Sequence, residues 1–424
     1  MSCRSKYDYA KVSKNILKAT SYKHNLSKLI SEATVWSEIC GTSFYKVLWN
    51  SDVGDVVFKN ENGETIREGE VQIEVVSPFE IYPDSASYNA LEDVKSIMHV
   101  KAFDVDAIKN IWGVDVKGED IDVYSLDTIN NIGGLGYIAH TNTSARKIKH
   151  NSALVIEKYE SPTVKYPFGR LIIVAGDKLV YVGELPYINA NNNERGFPFV
   201  RQCSIVNPGS FWGSSVIERC IPIQRSFNAI KNRKHEFLNR LSMGVLAVED
   251  GSVDTDNLEE EGMAPGKVLI YRQGSSIPRL LNSSNVPVDF GYEEDRLQNE
   301  FLTVSGVSDL LRSSSISSNL SGTALQLLIE QDEARLISSA EQIREAVKEI
   351  SKQILRLYKQ FITNKKASKL VADNGNIEMF YWNNSDINSD DVVFETENEL
   401  NESLLFYRFR HNILQRLLFH LHQK

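Results

Sequence analysis

The sequence predicts a mixed α+β chain. Three observations carry this. A helical period over residues 7–40 gives way to strand alternation at Phe44, a second group of short strands begins at Ala153, and a long helical run occupies residues 321–361. In that run Ile343, Val347, Ile350, Ile354, Leu357 and Phe361 recur at steps of three and four, which makes one buried stripe. About 40 helical residues span ~60 Å, more than a compact domain needs. Thr323 and Gln326 have capping-box spacing at its start, with Ser321 and Asn319 as alternative caps.

Taken in order, Leu26, Leu29, Ile30, Ala33 and Trp36 keep helical spacing, and Gly41 is a stop signal. Residues 44–49 and 56–58 then read as strands, with Asn62-Gly63 as a turn. Residues 71–81 continue as strand until Pro78 and Pro83 limit pairing. Residues 96–103 form a strand, and Asp104 caps a short helix ending at Trp112. Signals are weak over residues 113–149. Gly133-Gly134-Leu135-Gly136 lacks the strand before it and helix after it that a phosphate cradle needs, so it reads as a loop.

Three strands follow, at residues 153–159, 170–174 and 179–182, with Gly176-Asp177 turning between the last two. The cluster Asn207-Pro208-Gly209-Ser210-Phe211-Trp212-Gly213 is a hinge-like change of character. Ser215 and Glu218 make a capping-box pattern, and Pro222 predicts a short turn, a kink and a fresh helix. Ile223, Phe227, Ile230, Phe237 and Leu241 stripe that helix, with Lys234 in an apolar slot. Its polar side holds Arg225, Lys231, Arg233, His235 and Arg240: a solvated basic face, or a positive belt suited to phosphates. Strands are expected at residues 244–248 and 267–271. Between them lies an acidic patch that includes Glu259, Glu260 and Glu261, which is either a partner-facing surface or a solvated loop. A second helix runs from about Tyr292 to Ser305.

After the long run, residues 364–375 read as loop, and residues 377–382 and 392–394 as strands. Residues 404–424 form a basic amphipathic helix, for packing or for a membrane surface.

Hydrophobic residues at 42% and charged residues at 24% fit a soluble globular protein, and 424 residues suffice for two or three domains. The net charge of -9 excludes a simple nucleic-acid coat protein, which would be basic. Cys3, Cys40, Cys203 and Cys220 stand far apart without a CxxC pair, so reduced thiols and no zinc site are expected. The polar N-terminus has no signal-peptide core, and no apolar run reaches membrane-span length.

No catalytic pattern stands out. His235-Glu236 lacks a second histidine at position 239, and no GxSxG elbow, GxxxxGK[ST] loop or dinucleotide fingerprint is present. Asp386, Asp390 and Asp391 lack the glycine and glutamate of a calcium loop. Neither a metal nor a cofactor is expected.

Two segments then weigh most: Gly213-Ser214-Ser215-Val216-Ile217-Glu218, and the helix start Ser321-Gly322-Thr323-Ala324-Leu325-Gln326. With the order of parts around them, the chain resembles portal proteins of tailed bacteriophages, the head-to-tail connectors. The resemblance implies a portal fold: wing at residues 1–205, stem helices at 206–242 and 288–305, and clip at 243–287. The tunnel loop would be residues 306–320, the long helix and remaining wing residues 321–400, and a short crown-like helix residues 401–424. It implies a non-enzymatic subunit of a homododecameric ring at one capsid vertex of the virion, assembled in the host bacterial cytoplasm. Double-stranded DNA would enter through it during packaging and leave at ejection. Partners would be the terminase large subunit, head-completion and adaptor proteins, and the major capsid and scaffolding proteins. The DNA contacts would be Arg312, Ser313, Ser314, Ser315, Ser317, Ser318 and Asn319 in the loop, with Lys231, Arg233, Lys234 and Arg240 in the stem. Glu259, Glu260 and Glu261 would meet a partner at the clip. Two other readings stand beside this one: an enzyme with a site hidden in residues 113–149, and a membrane-surface scaffold using residues 404–424.

Overall fold

The computed structural model describes residues 6–59, 65–124, 146–188, 195–243, 245–253, 270–281, 289–306, 322–362, 365–371, 377–387, 389–390 and 392–393. In chain order the elements begin with α1 (Lys6–His24), α2 (Leu26–Cys40), β1 (Thr42–Asn50), β2 (Val56–Lys59), β3 (Thr65–Arg67), β4 (Glu70–Val76) and β5 (Ile81–Pro83). They continue with β6 (Ser96–Asp104), α3 (Val105–Trp112), β7 (Glu119–Tyr124), β8 (Arg146–Glu160), β9 (Arg170–Ala175), β10 (Lys178–Gly183) and β11 (Phe199–Cys203). The last are α4 (Val216–Met243), β12 (Val245–Ala247), β13 (Arg279–Leu281), α5 (Asp289–Ser305), α6 (Gly322–Phe361), β14 (Lys366–Val371) and β15 (Ile377–Trp382). Every strand pairing among the described residues is antiparallel, so the mixed α+β class holds. The chain divides into two units, Met1–Arg219 with Gly306–Lys424, and Cys220–Ser305.

The first unit is layered around β1. This strand lies between β11 and β4 in a three-stranded sheet. Its alternate side chains serve two cores, as the period of two requires. Tyr45 and Val47 face the helices and pack with Ile16 of α1, Ala33 of α2, and Ile350, Ile354 and Tyr358 of α6. Phe44 faces the other way, into a second core with Ile97, Tyr159, Leu171 and Phe211. That core lies against the sheet β10-β9-β8-β6-β5, on which α3 packs separately through Ile108. Each such buried aliphatic or aromatic side chain contributes roughly 1.5–3 kcal/mol.

Lys46 shares the Phe44 side of β1, so its ammonium is carried into the space between the sheets. It pairs with Glu157 of β8 and lies 3.2 Å from Nδ1 of His99 on β6. Tyr159 donates its hydroxyl to Glu157 at 2.7 Å, and Glu80 stands 3.6 Å from His99 Nε2. Lys46 and His99 are only 4% and 2% exposed, so this charge cluster is enclosed.

Local signals set several boundaries. Gly41 ends α2 with φ 86, and its N–H donates to Ser37 O at 2.8 Å. There it touches Gly213: the Gly213 N–H donates to Thr42 Oγ1 at 2.8 Å, and Ser204 N–H donates to Gly41 O at 3.0 Å. Asp104 caps α3 by accepting the Asp106 N–H at 3.1 Å.

Four expectations are corrected. Pro222 neither breaks nor restarts a helix; α4 runs through it. The ring removes the N–H that Glu218 O would accept, at a cost of one helix hydrogen bond near the exposed start of α4. The partner of β12 is Arg279–Leu281, while residues 270–271 are not strand. Glu249 fixes that register by accepting the Ser276 N–H at 2.8 Å. Residues 366–371, read as loop, form β14 and pair with β15. The reason is Lys366, whose buried ammonium reaches Gly69 O at 3.2 Å and Glu68 at 3.6 Å, so a polar segment can be a strand. Residues 392–393 are not strand. The expected turn at Asn62-Gly63, the Gly133–Gly136 loop and the 404–424 helix lie outside the described residues.

Candidate nucleic-acid interface

The basic belt lies in the second unit, on α4. Ser215 opens this helix by accepting the Glu218 N–H at 2.8 Å, half of the expected capping box. Along α4, Phe227 is buried, while Ile223, Ile230 and Phe237 are half-buried. On α5, Leu297, Phe301 and Leu302 are buried. The two helices meet where the Phe237 and Phe290 rings stand 6.1 Å apart.

The same contact carries charge. Lys231 reaches Glu294 at 3.1 Å, and Lys234 reaches both of its carboxylate oxygens at 3.2 Å. Burial alone would raise the Glu294 carboxyl; the hydrogen bonds and charges of the two lysines overrule it and hold the group below its ordinary range. The Lys231 ammonium also stands 5.3 Å over the Phe227 ring. Lys234 thus occupies an apolar slot because its stem packs there while its head finds a counter-charge on the facing helix. That slot was the sequence signal that could have pointed to Glu294.

At 3.6 residues per turn, Arg225 falls on the side of α4 away from Phe227 and Lys234, together with the exposed Glu236, while Arg233 lies on the flank, one turn before Phe237. Both arginines are exposed, and among the described residues neither has a carboxylate partner. Asn228 and Asn232 stand exposed beside them. The belt is therefore split: Lys231 and Lys234 turn inward to Glu294, and Arg233 is exposed on the flank. The side chain of Arg240 lies outside the described residues, as do the loop group Arg312, Ser313, Ser314, Ser315, Ser317, Ser318 and Asn319, and the acidic group Glu259, Glu260 and Glu261.

The first unit has a groove lined in part by Arg201, Lys348, Lys352, Arg356, Glu345 and Glu349. Several of these groups neutralise one another or a neighbour. Arg356 reaches Asp390 at 2.6 Å, and Lys352 reaches Glu349 at 3.3 Å. Arg201 donates to the carbonyls of Phe211 and Asn89 at 2.7 and 2.6 Å. Burial pushes the Cys40 thiol up to about 11 and raises that of Cys203, so both stay protonated near neutral pH. Among the described residues there is no cluster of three potential metal ligands, and no helix long and apolar enough to cross a membrane.

A family model described as Phage P22-like portal protein matches residues 4–403. Among curated proteins, none matches the chain.

Proposed function

The chain belongs to the phage P22-like portal protein family, and from that premise we propose that it is the repeating subunit of a ring at one vertex of a phage capsid. Twelve copies surround a channel. Double-stranded DNA enters the head through it during packaging and leaves through it at ejection. A terminase docks at the outer end and is later replaced by head-completion proteins. The part played is structural, with no chemistry at the subunit itself.

The observation that carries this reading is the reach of the family match. Residues 4–403 take in most of the first unit, the helical pair and the segment between its helices. The two-unit division supports it. In this reading the wing, residues 1–205 and 321–400, lies within the first unit, and most of the stem, carried by α4 and α5, falls with the clip at residues 243–287 in the second. In this reading the loop at 306–320 borders the channel. Its serines and Asn319 hydrogen-bond phosphates without holding a large charge, which suits passage better than grip. Arg312 is the one cation there.

Electron microscopy of the purified full chain tests the proposal. Rings with an open centre are expected, whereas solitary particles, or rings plugged by folded polypeptide, would overturn it. Removing Ser313 to Ser318 is expected to leave ring formation intact and to lower the yield of DNA-filled heads. Heads that fill and hold DNA as well as the parent would reject the loop's part in transit.

A further inference from the structure

The outward face of α1 carries a lysine stripe. At 3.6 residues per turn, Lys11, Lys14, Lys18 and Tyr22 fall within about 80° of one another. Ile16 and Thr20, both buried, lie roughly opposite. Lys11 and Lys14 are exposed, and Tyr22 is 63% exposed. No acidic residue stands between Tyr9 and His24, so this length of α1 supplies no counter-charge of its own. The last described residues leave from the flank of the same helix. The turn Asn384–Asp386 touches α1, and Ile387 and Val392 pack in one core with Val12, Ile16 and Leu17. Asp390 is fixed there by Arg356 at 2.6 Å.

Beyond the described residues the sequence continues Glu395-Thr396-Glu397-Asn398-Glu399 and then Glu402, with no cation before Arg408. We infer that residues 395–402 lie along the lysine stripe as an acidic strap of the same chain. Charge, proximity and length single out this occupant. Laid out as a strand, Glu395, Glu397 and Glu399 share one side and span ~13 Å. Lys11 to Lys18 spans ~10 Å along the helix axis, a difference that flexible lysine stems absorb. From Asp390 to Glu395 an extended chain reaches ~16 Å, enough to pass from the flank of a helix about 10–12 Å wide to its outer face. A duplex would also suit the lysines, but the carboxylates are tethered beside them at high effective concentration. Exposed ion pairs are individually weak, so the strap holds through several in register and loosens in salt. The contact fastens the segment that follows Val393 to the first helix of the chain.

Hydrogen exchange over residues 394–402 of the full chain tests this. In the parent, exchange is expected to be about tenfold slower at low salt than at high salt. A chain carrying K11E, K14E and K18E is expected to lose that slowing, as is one carrying E395K, E397K and E399K. A chain carrying all six changes is expected to regain it, which also shows that the reversed chains fold. A parent that exchanges equally fast at both salts would overturn the inference. So would slowing that survives either reversal, or six changes that keep the parent's unfolding midpoint without restoring it. If the two singly reversed chains recover the slowing when co-expressed, the strap comes from a neighbouring copy and the inference fails. It fails too if K11E, K14E and K18E weaken binding of a short DNA duplex while the slowing persists, since the stripe then serves phosphates.

Discussion

Gly41→Ala is expected to cost the first unit at least about 2–5 kcal/mol, summing a left-handed alanine with an overpacked backbone contact. Gly41 sits at φ 86, and a Cβ there would stand 2.1 Å from Gly213 O and 2.8 Å from its carbonyl carbon. Neither atom is the tip of a flexible side chain. The obstacle is reciprocal, since a Cβ on Gly213 would meet Gly41 O at 2.6 Å and Ile205 O at 2.7 Å. Relief would require moving the start of β1 away from the segment that leads into α4, breaking the Gly213 to Thr42 hydrogen bond. Such a loss is a large share of the ~5–15 kcal/mol that holds a domain together. Gly113→Ala is the control. Gly113 has φ 67 but nothing within 4 Å of its would-be Cβ, so only the conformational cost of about 1 kcal/mol remains. Urea unfolding of both variants checks the pair. A Gly41 variant no weaker than the Gly113 variant would mean the close approach is not a constraint.

Lys46→Met is expected to destabilise the same unit by roughly 3–5 kcal/mol, the usual cost of removing one partner from a buried ion pair. The cost arises less from the lost attraction than from Glu157, left enclosed with a charge that only His99 and Tyr159 address. Adding Glu157→Gln should recover part of the loss, since the stranded charge goes with it. The pH dependence follows from Glu157. Burial pushes its carboxyl up, but the hydrogen bond from His99 and the charges of Lys46 and His99 prevail and hold it far below the ordinary carboxylate range. A carboxyl depressed on folding contributes stability that is fully present above its unfolded value of about 4.3. That contribution fades as pH falls toward the folded value. The parent should therefore lose stability steeply below about pH 4.3, and Lys46→Met should show a shallower slope there. Glu160, held down to about 2 first by its hydrogen bond from Arg170, keeps a smaller acid slope in both chains, because it lies near solvent. Unfolding midpoints between neutral pH and pH 3 decide the matter, and equal slopes would contradict the assignment.

What the sequence made legible was local. Gly41 as a stop, Asp104 as a cap, the Gly176-Asp177 turn and the stripe of α6 all depend on neighbours within a turn or two. Lys46 was not legible as a buried charge. In a strand, a lysine reads as outward-facing, and its partners stand 53 and 111 positions away. Lys366 hid β14 for the same reason: the carbonyl and carboxylates that make it acceptable belong to Glu68, Gly69 and Glu70. At the candidate site, periodicity located the belt on one helix but could not divide it. Which lysines turn inward depends on Glu294, and that residue lies on another helix.

The order in which the first unit's parts leave the ribosome has a consequence of its own. Tyr45, Val47, Ile73 and Val200 share a core with Ala346, Ile350, Ile354 and Tyr358, and the whole of Cys220–Ser305 is translated in between. At ~5–20 residues per second, the nascent chain waits on the order of ten seconds for that missing helix. During this interval the insert can pair its own two helices. The central strands, covered only by α1 and α2, present bare aromatic and aliphatic surface to solvent. Productive folding of this subunit is thus a race between elongation and premature sticking, and slowing translation between codons 220 and 345 lengthens the exposure.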